Sequence, residues 1–94
     1  MISPDESILI CAVRYALGRM SYIVGEVANY VFYKRKTLSK ECIDIIIRDI
    51  EEKGSFQKKR YHLVGETLGM ECDEKTWKNL LKALKGELDE RNQR

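Results

Sequence analysis

Apolar residues recur every three to four positions in two long segments of this chain, which is the spacing of one face of an α-helix. The first segment follows Thr37 and Ser39, either of which can cap a helix, and stops at Gly54. The second segment follows Asp73, another good capping residue. The pattern predicts helices over about 39–53 and 73–90, with two buried stripes formed by Ile43, Ile46, Ile47 and Ile50 and by Trp77, Leu80, Leu81, Leu84 and Leu88.

The N-terminal segment carries a second kind of helix signal. Ser3 and Glu6 have the spacing of a capping box, and Pro4 is favoured at the first helical position. The residues that follow are almost all apolar, and only a narrow stripe through Arg14 is polar. We therefore expect a helix over about 4–18 that is buried on most sides and lies at the centre of the fold.

The remaining segments have weaker patterns. Residues 22–35 are rich in β-branched and aromatic side chains but do not alternate as a strand would, so they are predicted to be helical. Residues 55–60 resemble a polar loop, residues 61–69 one or two helical turns closed by Gly69, and the polar tail from Glu87 is expected to fray. Together these elements predict an all-α fold, a small bundle of four helices with room for a short fifth element, in a single domain over 1–94.

Composition limits the class of protein. The 94 residues are 44% hydrophobic and carry a net charge of only +2, which excludes a disordered chain and does not demand an acidic partner. The longest apolar run ends before Arg14, far short of the roughly 20 residues that span a bilayer. The acidic start lacks the basic region of a secretory signal, so we expect a cytoplasmic protein that does not enter membranes.

Few residues suit catalysis or metal binding. The chain has one His, His62, and its three Cys are spaced too widely for a disulfide framework or a zinc site. No G-x-S-x-G motif accompanies any Ser, and the carboxylates lie among Lys and Arg, where a solvated helix face or a helix cap explains them. We therefore predict no enzymatic activity, no cofactor and no bound metal ion.

The corner where the first predicted helix ends and the second begins, over residues 14–22, combines cationic and aromatic residues: Arg14, Tyr15, Arg19, Ser21 and Tyr22. Arginine can donate two parallel hydrogen bonds to phosphate or carboxylate, and a helix N-terminus offers unpaired N–H groups to the same anions. These residues are candidates for binding a nucleotide, a nucleic-acid backbone or an acidic protein surface. The alternative is structural, with Arg14 capping a buried polar stripe and Tyr15 lying in the core.

Two basic runs lie in predicted connections and concentrate positive charge in the middle of the chain. They are formed by Lys34, Arg35 and Lys36 and by Lys58, Lys59 and Arg60. Tyr33 and Tyr61 flank the runs, and aromatic residues interleave with basic ones in many nucleic-acid surfaces. If the runs meet, they form a basic patch for nucleic acid; the alternative is two solvated loops.

The second predicted helix carries more aromatic surface than a small bundle can easily cover. Its aromatic residues are Tyr22, Tyr30, Phe32 and Tyr33. Uncovered aromatic side chains are typical of contact surfaces, so a homodimer or a plain oligomerisation domain is a further alternative.

The chain resembles small bacteriophage-encoded proteins in the string Cys11-Ala-Val-Arg14-Tyr15-Ala-Leu-Gly18-Arg19-Met-Ser21-Tyr22, whose typical form is C-A-x-R-Y-A-L-G-R-x-S/T-Y. The segment from Glu71 through Trp77 to Leu81 is similar to the closing helix of those proteins. The resemblance implies an inhibitor of a host antiviral defence system, like the anti-CRISPR proteins, that binds an effector or its nucleotide signal stoichiometrically in the infected cell. The alternative function is a small nucleic-acid-binding accessory or regulatory protein that uses the two basic runs.

Overall fold

The structure is a computed structural model that describes the backbone of residues 2–17, 22–58 and 64–93 and the side chains of residues 2–17, 23–52 and 74–93. The described residues form four α-helices and no strand. They are α1 (Pro4–Leu17), α2 (Tyr22–Lys34), α3 (Lys40–Lys58) and α4 (Val64–Asn92). The prediction of an all-α bundle of four helices is confirmed.

Two helices begin at side chains that satisfy their free N–H groups. At α1, the Glu6 N–H donates to Ser3 Oγ (3.2 Å) and the Ser3 N–H donates to Glu6 Oε1 (3.1 Å), which is the predicted capping box. At α3, the Cys42 N–H donates to Ser39 Oγ (3.1 Å), so Ser39 is the cap. Thr37, the other candidate, instead donates its hydroxyl to the Lys34 carbonyl (2.8 Å) at the end of α2.

The helices are arranged as a ring in which each packs against two neighbours. Among the described residues α1 contacts α2 and α3, and α4 contacts the same two helices, so α1 and α4 are diagonally opposite. The space between the helices is filled by both predicted stripes, of which Leu81 and Leu88 are only partly buried. Each fully buried Leu or Ile in this core contributes roughly 1.5–3 kcal/mol of hydrophobic free energy.

α1 is not the central helix that its composition predicts. Val13 and Ala16 on its inner side are fully buried, but Ile8 on its outer side is 69% exposed and Tyr15 is exposed as well. The prediction was wrong because an apolar outer side does not itself supply a neighbouring helix. α1 therefore presents apolar side chains on the bundle surface.

Two predicted helix ends are also wrong. α3 continues through Gly54 to Lys58, so residues 55–58 are not a loop, whereas residues 59 and 60 lie outside the described residues. α4 begins at Val64, so Gly69 does not close a helix and Asp73 does not begin one. A single glycine weakens a helix by only about 1 kcal/mol relative to alanine, and Glu, Lys and Met residues nearby favour helix. Residues 64–69 thus belong to α4 rather than to a fifth element.

The polar tail does not fray where it was expected to. α4 extends to Asn92, and Glu87 is buried although it is charged. Glu87 and Arg91 follow Leu84 at intervals of three and seven residues, which places them on the inner side of the helix. This spacing is the sequence signal that could have identified them as structural residues.

Candidate binding surface

Arg14 reaches from α1 to α3. Its Nε donates to Asp49 Oδ2 at 2.6 Å, and the Asp49 side chain is only 8% exposed. The hydrogen bond and charge of Asp49 raise the pKa of Arg14, so the guanidinium remains cationic. Asp49 already accepts a hydrogen bond from this guanidinium. An anionic ligand at Arg14 would therefore have to share it with Asp49.

The other candidates of this corner are only partly described. Tyr15 is exposed, so the alternative that it lies in the core is wrong. Tyr22 is the first residue of α2, but its side chain lies outside the described residues, as do Arg19 and Ser21. The described part of the corner is therefore one paired arginine beside one exposed tyrosine.

The first basic run surrounds the turn after α2 and is interleaved with aromatic rings. Lys34 Nζ lies 5.9 Å from the ring centroid of Tyr30, and Arg35 Cζ lies 4.0 Å from that of Phe32. Both distances are within the range of cation–π attraction. The run therefore contributes to a mixed aromatic and cationic surface.

The same turn is fastened to α4. Arg91 Nη2 donates to the carbonyls of Arg35 (3.0 Å) and Lys36 (3.3 Å), and Arg91 Nε donates to Glu87 Oε2 (2.9 Å). Lys36 Nζ lies 3.8 Å from Glu87 Oε1, and the Glu87 side chain is only 2% exposed. The charge of Lys36 is therefore partly balanced by a carboxylate, which weakens this run as a phosphate-binding surface.

Contact between the second basic run and the first is not tested by the described residues. Lys58 is the last residue of α3 and its side chain is not described, and Lys59 and Arg60 lie outside the described residues. The predicted six-charge patch therefore remains a prediction.

Among the described residues, the large exposed apolar side chains belong to α1 and α2. Four of them define what we call the α1–α2 face: Ile8, Tyr15, Tyr30 and Tyr33, of which Tyr33 is the most exposed at 82%. The fifth, Phe32, is two residues from Tyr30 and therefore lies on the opposite side of α2. The excess of aromatic residues on the second helix indicated such a surface, but of the four residues of the face only Tyr15 was a candidate site residue.

A groove of about 490 Å³ runs between α1 and α2 on the same face. Its apolar lining includes Ile8, Ala12, Val27 and Tyr30, and its two carboxylates are Asp5 and Glu26. Apolar concave surface with a few charged groups is typical of binding sites. The α1–α2 face therefore includes a concave groove in addition to the exposed side chains.

The described cysteines have contrasting environments. Cys11 is exposed, whereas Cys42 is buried and its burial raises the pKa of the thiol to about 11. A thiol with that pKa stays protonated at neutral pH and is a poor nucleophile and metal ligand. Within the described residues, no three His, Cys, Asp or Glu side chains are grouped closely enough to hold a metal ion.

No family model, curated protein or solved structure matches this chain. None of the described helices combines the length and the apolar character needed to cross a membrane. Among the described residues, the α1–α2 face is the surface on which a proposal about function can be based.

Proposed function

We propose that this chain is a non-enzymatic binding protein that a bacteriophage uses to inhibit a host antiviral defence system. The observation that supports the proposal is the α1–α2 face, on which four large apolar side chains are exposed to solvent. Small proteins seldom leave contiguous apolar surface uncovered unless it contacts a partner. The assignment to a bacteriophage rests on the resemblance of the Cys11–Tyr22 motif to that of small bacteriophage-encoded proteins.

A protein effector fits this surface better than a nucleotide signal does. Arg14 is already paired with Asp49, and Lys36 lies near the carboxylate of Glu87, so neither cation is fully available to a phosphate. Tyrosine and phenylalanine, in contrast, are enriched in the cores of protein interfaces. The inhibitor would act by occupying a site on the effector in a stoichiometric complex.

The proposal is tested by mixing the purified protein with CRISPR nuclease complexes and, separately, with cyclic nucleotides. We expect a stable complex with a protein effector on size exclusion, with fixed stoichiometry, and a loss of the effector's nuclease activity. If the protein bound only a cyclic nucleotide, the proposed target would be that nucleotide signal and not the effector protein. Absence of any complex at micromolar concentration would overturn the proposal.

A matched pair of variants tests whether the α1–α2 face makes the contact. Tyr15→Ser should weaken the complex by roughly tenfold or more, because aromatic residues dominate the binding energy of interfaces. Lys82→Ser, at an exposed position of α4, should change the affinity by less than about twofold. Circular dichroism of both variants controls for folding. Equal affinities of the two variants for the effector would mean that the contact lies on another surface of the protein.

A nucleic-acid-binding accessory protein is the second candidate function. It is favoured by the position of Lys34 and Arg35 over the rings of Tyr30 and Phe32, which places a cation beside a stacking surface on each of two sides of α2. Affinity for DNA or RNA should then fall steeply with salt, and Lys34→Glu or the pair Lys58→Glu and Lys59→Glu should weaken it. Binding that does not respond to salt would exclude this candidate.

A further inference from the structure

The outer side of α2 carries two opposite charges placed symmetrically about an aromatic residue. Glu26 is exposed four residues before Tyr30, and Lys34 follows four residues after it. Tyr33 lies beside Lys34 and is the most exposed large apolar side chain described. Residues four apart in a helix share a face, so these four residues form one continuous strip, which we call the α2 strip.

We propose that a second copy of this chain docks on the α2 strip, with the two α2 helices antiparallel and a two-fold axis at Tyr30. Each step of four residues advances about 6 Å along a helix. In this register Glu26 of one copy therefore faces Lys34 of the other, and both charge pairs form at once. A two-fold interface requires such self-complementarity of a single surface patch.

The register also covers Tyr30, whose side chain is 54% exposed in the single chain. A two-fold axis at this position brings the Tyr30 rings of the two copies together at the centre of the interface. Burial of aromatic rings against each other is favourable.

The charges select this arrangement over its alternatives. A parallel pairing on the same strip would bring Glu26 against Glu26 and Lys34 against Lys34, which is repulsive. An unrelated helix would need its own acid, aromatic residue and base at matching intervals, whereas a second copy supplies them without further assumption. The occupant of the α2 strip is therefore a copy of this chain.

The dimer goes beyond the proposed inhibitor function and is compatible with it. Ile8 and Tyr15 of α1 lie outside the α2 strip and would remain available to an effector. Self-association is measured on the isolated chain, so its failure would leave the inhibitor proposal intact. Failure of effector binding would likewise leave the dimer intact.

Sedimentation equilibrium of the full chain, from low micromolar to near-millimolar concentration, tests the dimer. The unmodified chain should reach twice its 11.0 kDa mass. Glu26→Lys and Lys34→Glu should each weaken the dimer by about tenfold or more, because each variant sets like charges opposite each other. An equimolar mixture of the two variants should restore the dimer, since the substituted position 26 of one copy then faces the substituted position 34 of the other.

Control measurements separate the interface from folding. Circular dichroism should give the same helix content for both variants, and Lys82→Glu on α4 should dimerise like the unmodified chain. A chain that stays monomeric at every concentration would overturn the proposal. So would a mixture that associates no better than either variant alone, because the Glu26–Lys34 register would then be wrong.

Discussion

The outer surfaces of the two halves of this bundle have opposite chemistry. The α3–α4 side is charged, with Lys85 Nζ of α4 located 3.1 Å from Glu51 Oε2 of α3 and Lys78 Nζ located 3.2 Å from Glu74 Oε1. The α1–α2 face exposes aromatic and aliphatic side chains instead. A charged surface is stable in water without a partner, whereas a concentration of exposed apolar residues is a feature of contact surfaces. This difference is the reason that we propose a contact with a partner on the α1–α2 side.

The two sides share a single core, so the largest effect is expected from a substitution there. Ile46 on α3 is fully buried. Ile46→Ala should lower the free energy of unfolding by about 3 kcal/mol, because it removes buried apolar surface and leaves a cavity. Chemical denaturation followed by circular dichroism measures this loss.

The neighbouring Ile45 is a matched control, because it has the same side chain on the same helix but is only partly buried. Ile45→Ala should cost clearly less than Ile46→Ala. Equal losses would mean that the two sides of α3 do not differ in burial.

Local signals explain which parts of the fold could be predicted. Ser3 and Glu6 form their capping box within one helical turn, and the isoleucines of α3 follow a strict helical repeat, so both are visible in sequence. The all-α class and the buried stripes follow from these patterns. The first turn of α3 could also be narrowed to Thr37 or Ser39, because only a few residue types cap helices well.

The remaining features depend on contacts between distant residues. Asp49 pairs with Arg14 across 35 positions, and Arg91 bonds the turn at Arg35 from the far end of the chain. Neither pairing is encoded by spacing. The early start of α4 was missed because Gly69 and Asp73 are typical of helix ends but are also tolerated inside a long helix. The aromatic surface was noticed, but its location between α1 and α2 required the packing.

Glycine-to-alanine substitutions compare the helix stability of the two sides without altering their charges. Gly86 lies in α4 and Gly25 in α2, and an added Cβ at either position meets no atom within 4 Å. Gly86→Ala and Gly25→Ala should each raise the free energy of unfolding by about 0.8 kcal/mol, since alanine loses less entropy on forming a helix. Thermal or denaturant unfolding at low protein concentration measures both gains. A loss for Gly25→Ala alone would indicate that this side of α2 is more closely packed than the side of α4.

One polar contact links the apolar side of the bundle to the charged side and should depend on pH. Glu6 of α1 accepts the Ser39 N–H at the start of α3 (2.6 Å) and the Ser3 N–H. These bonds, chiefly the one from Ser39, lower the pKa of Glu6 below its ordinary value of 4.5. Because the folded state favours the carboxylate, the stabilisation is complete above about pH 5 and is lost as the pH falls below 4.5.

Glu6→Gln isolates this contribution. The unmodified chain should have the higher melting temperature at pH 7, and the difference should shrink as the pH falls below 4.5 and the Glu6 carboxylate becomes protonated. A difference that is constant across this range would contradict a role for the charge of Glu6, since the amide would then replace the acid at every pH.

The smallest effect is expected from an exposed ion pair on the charged side. The pair of Lys85 and Glu51 joins α4 to α3 at 3.1 Å, but both side chains are about half exposed. Water screens such a pair and fixing two long side chains costs entropy, so Lys85→Ala should change the free energy of unfolding by about 0.3 kcal/mol. Denaturation of the variant at low and at high salt should give nearly the same free energy of unfolding. A loss comparable to that of a buried contact would mean that the charged side also holds the bundle together, and the division between a solvated side and a binding side would have to be redrawn.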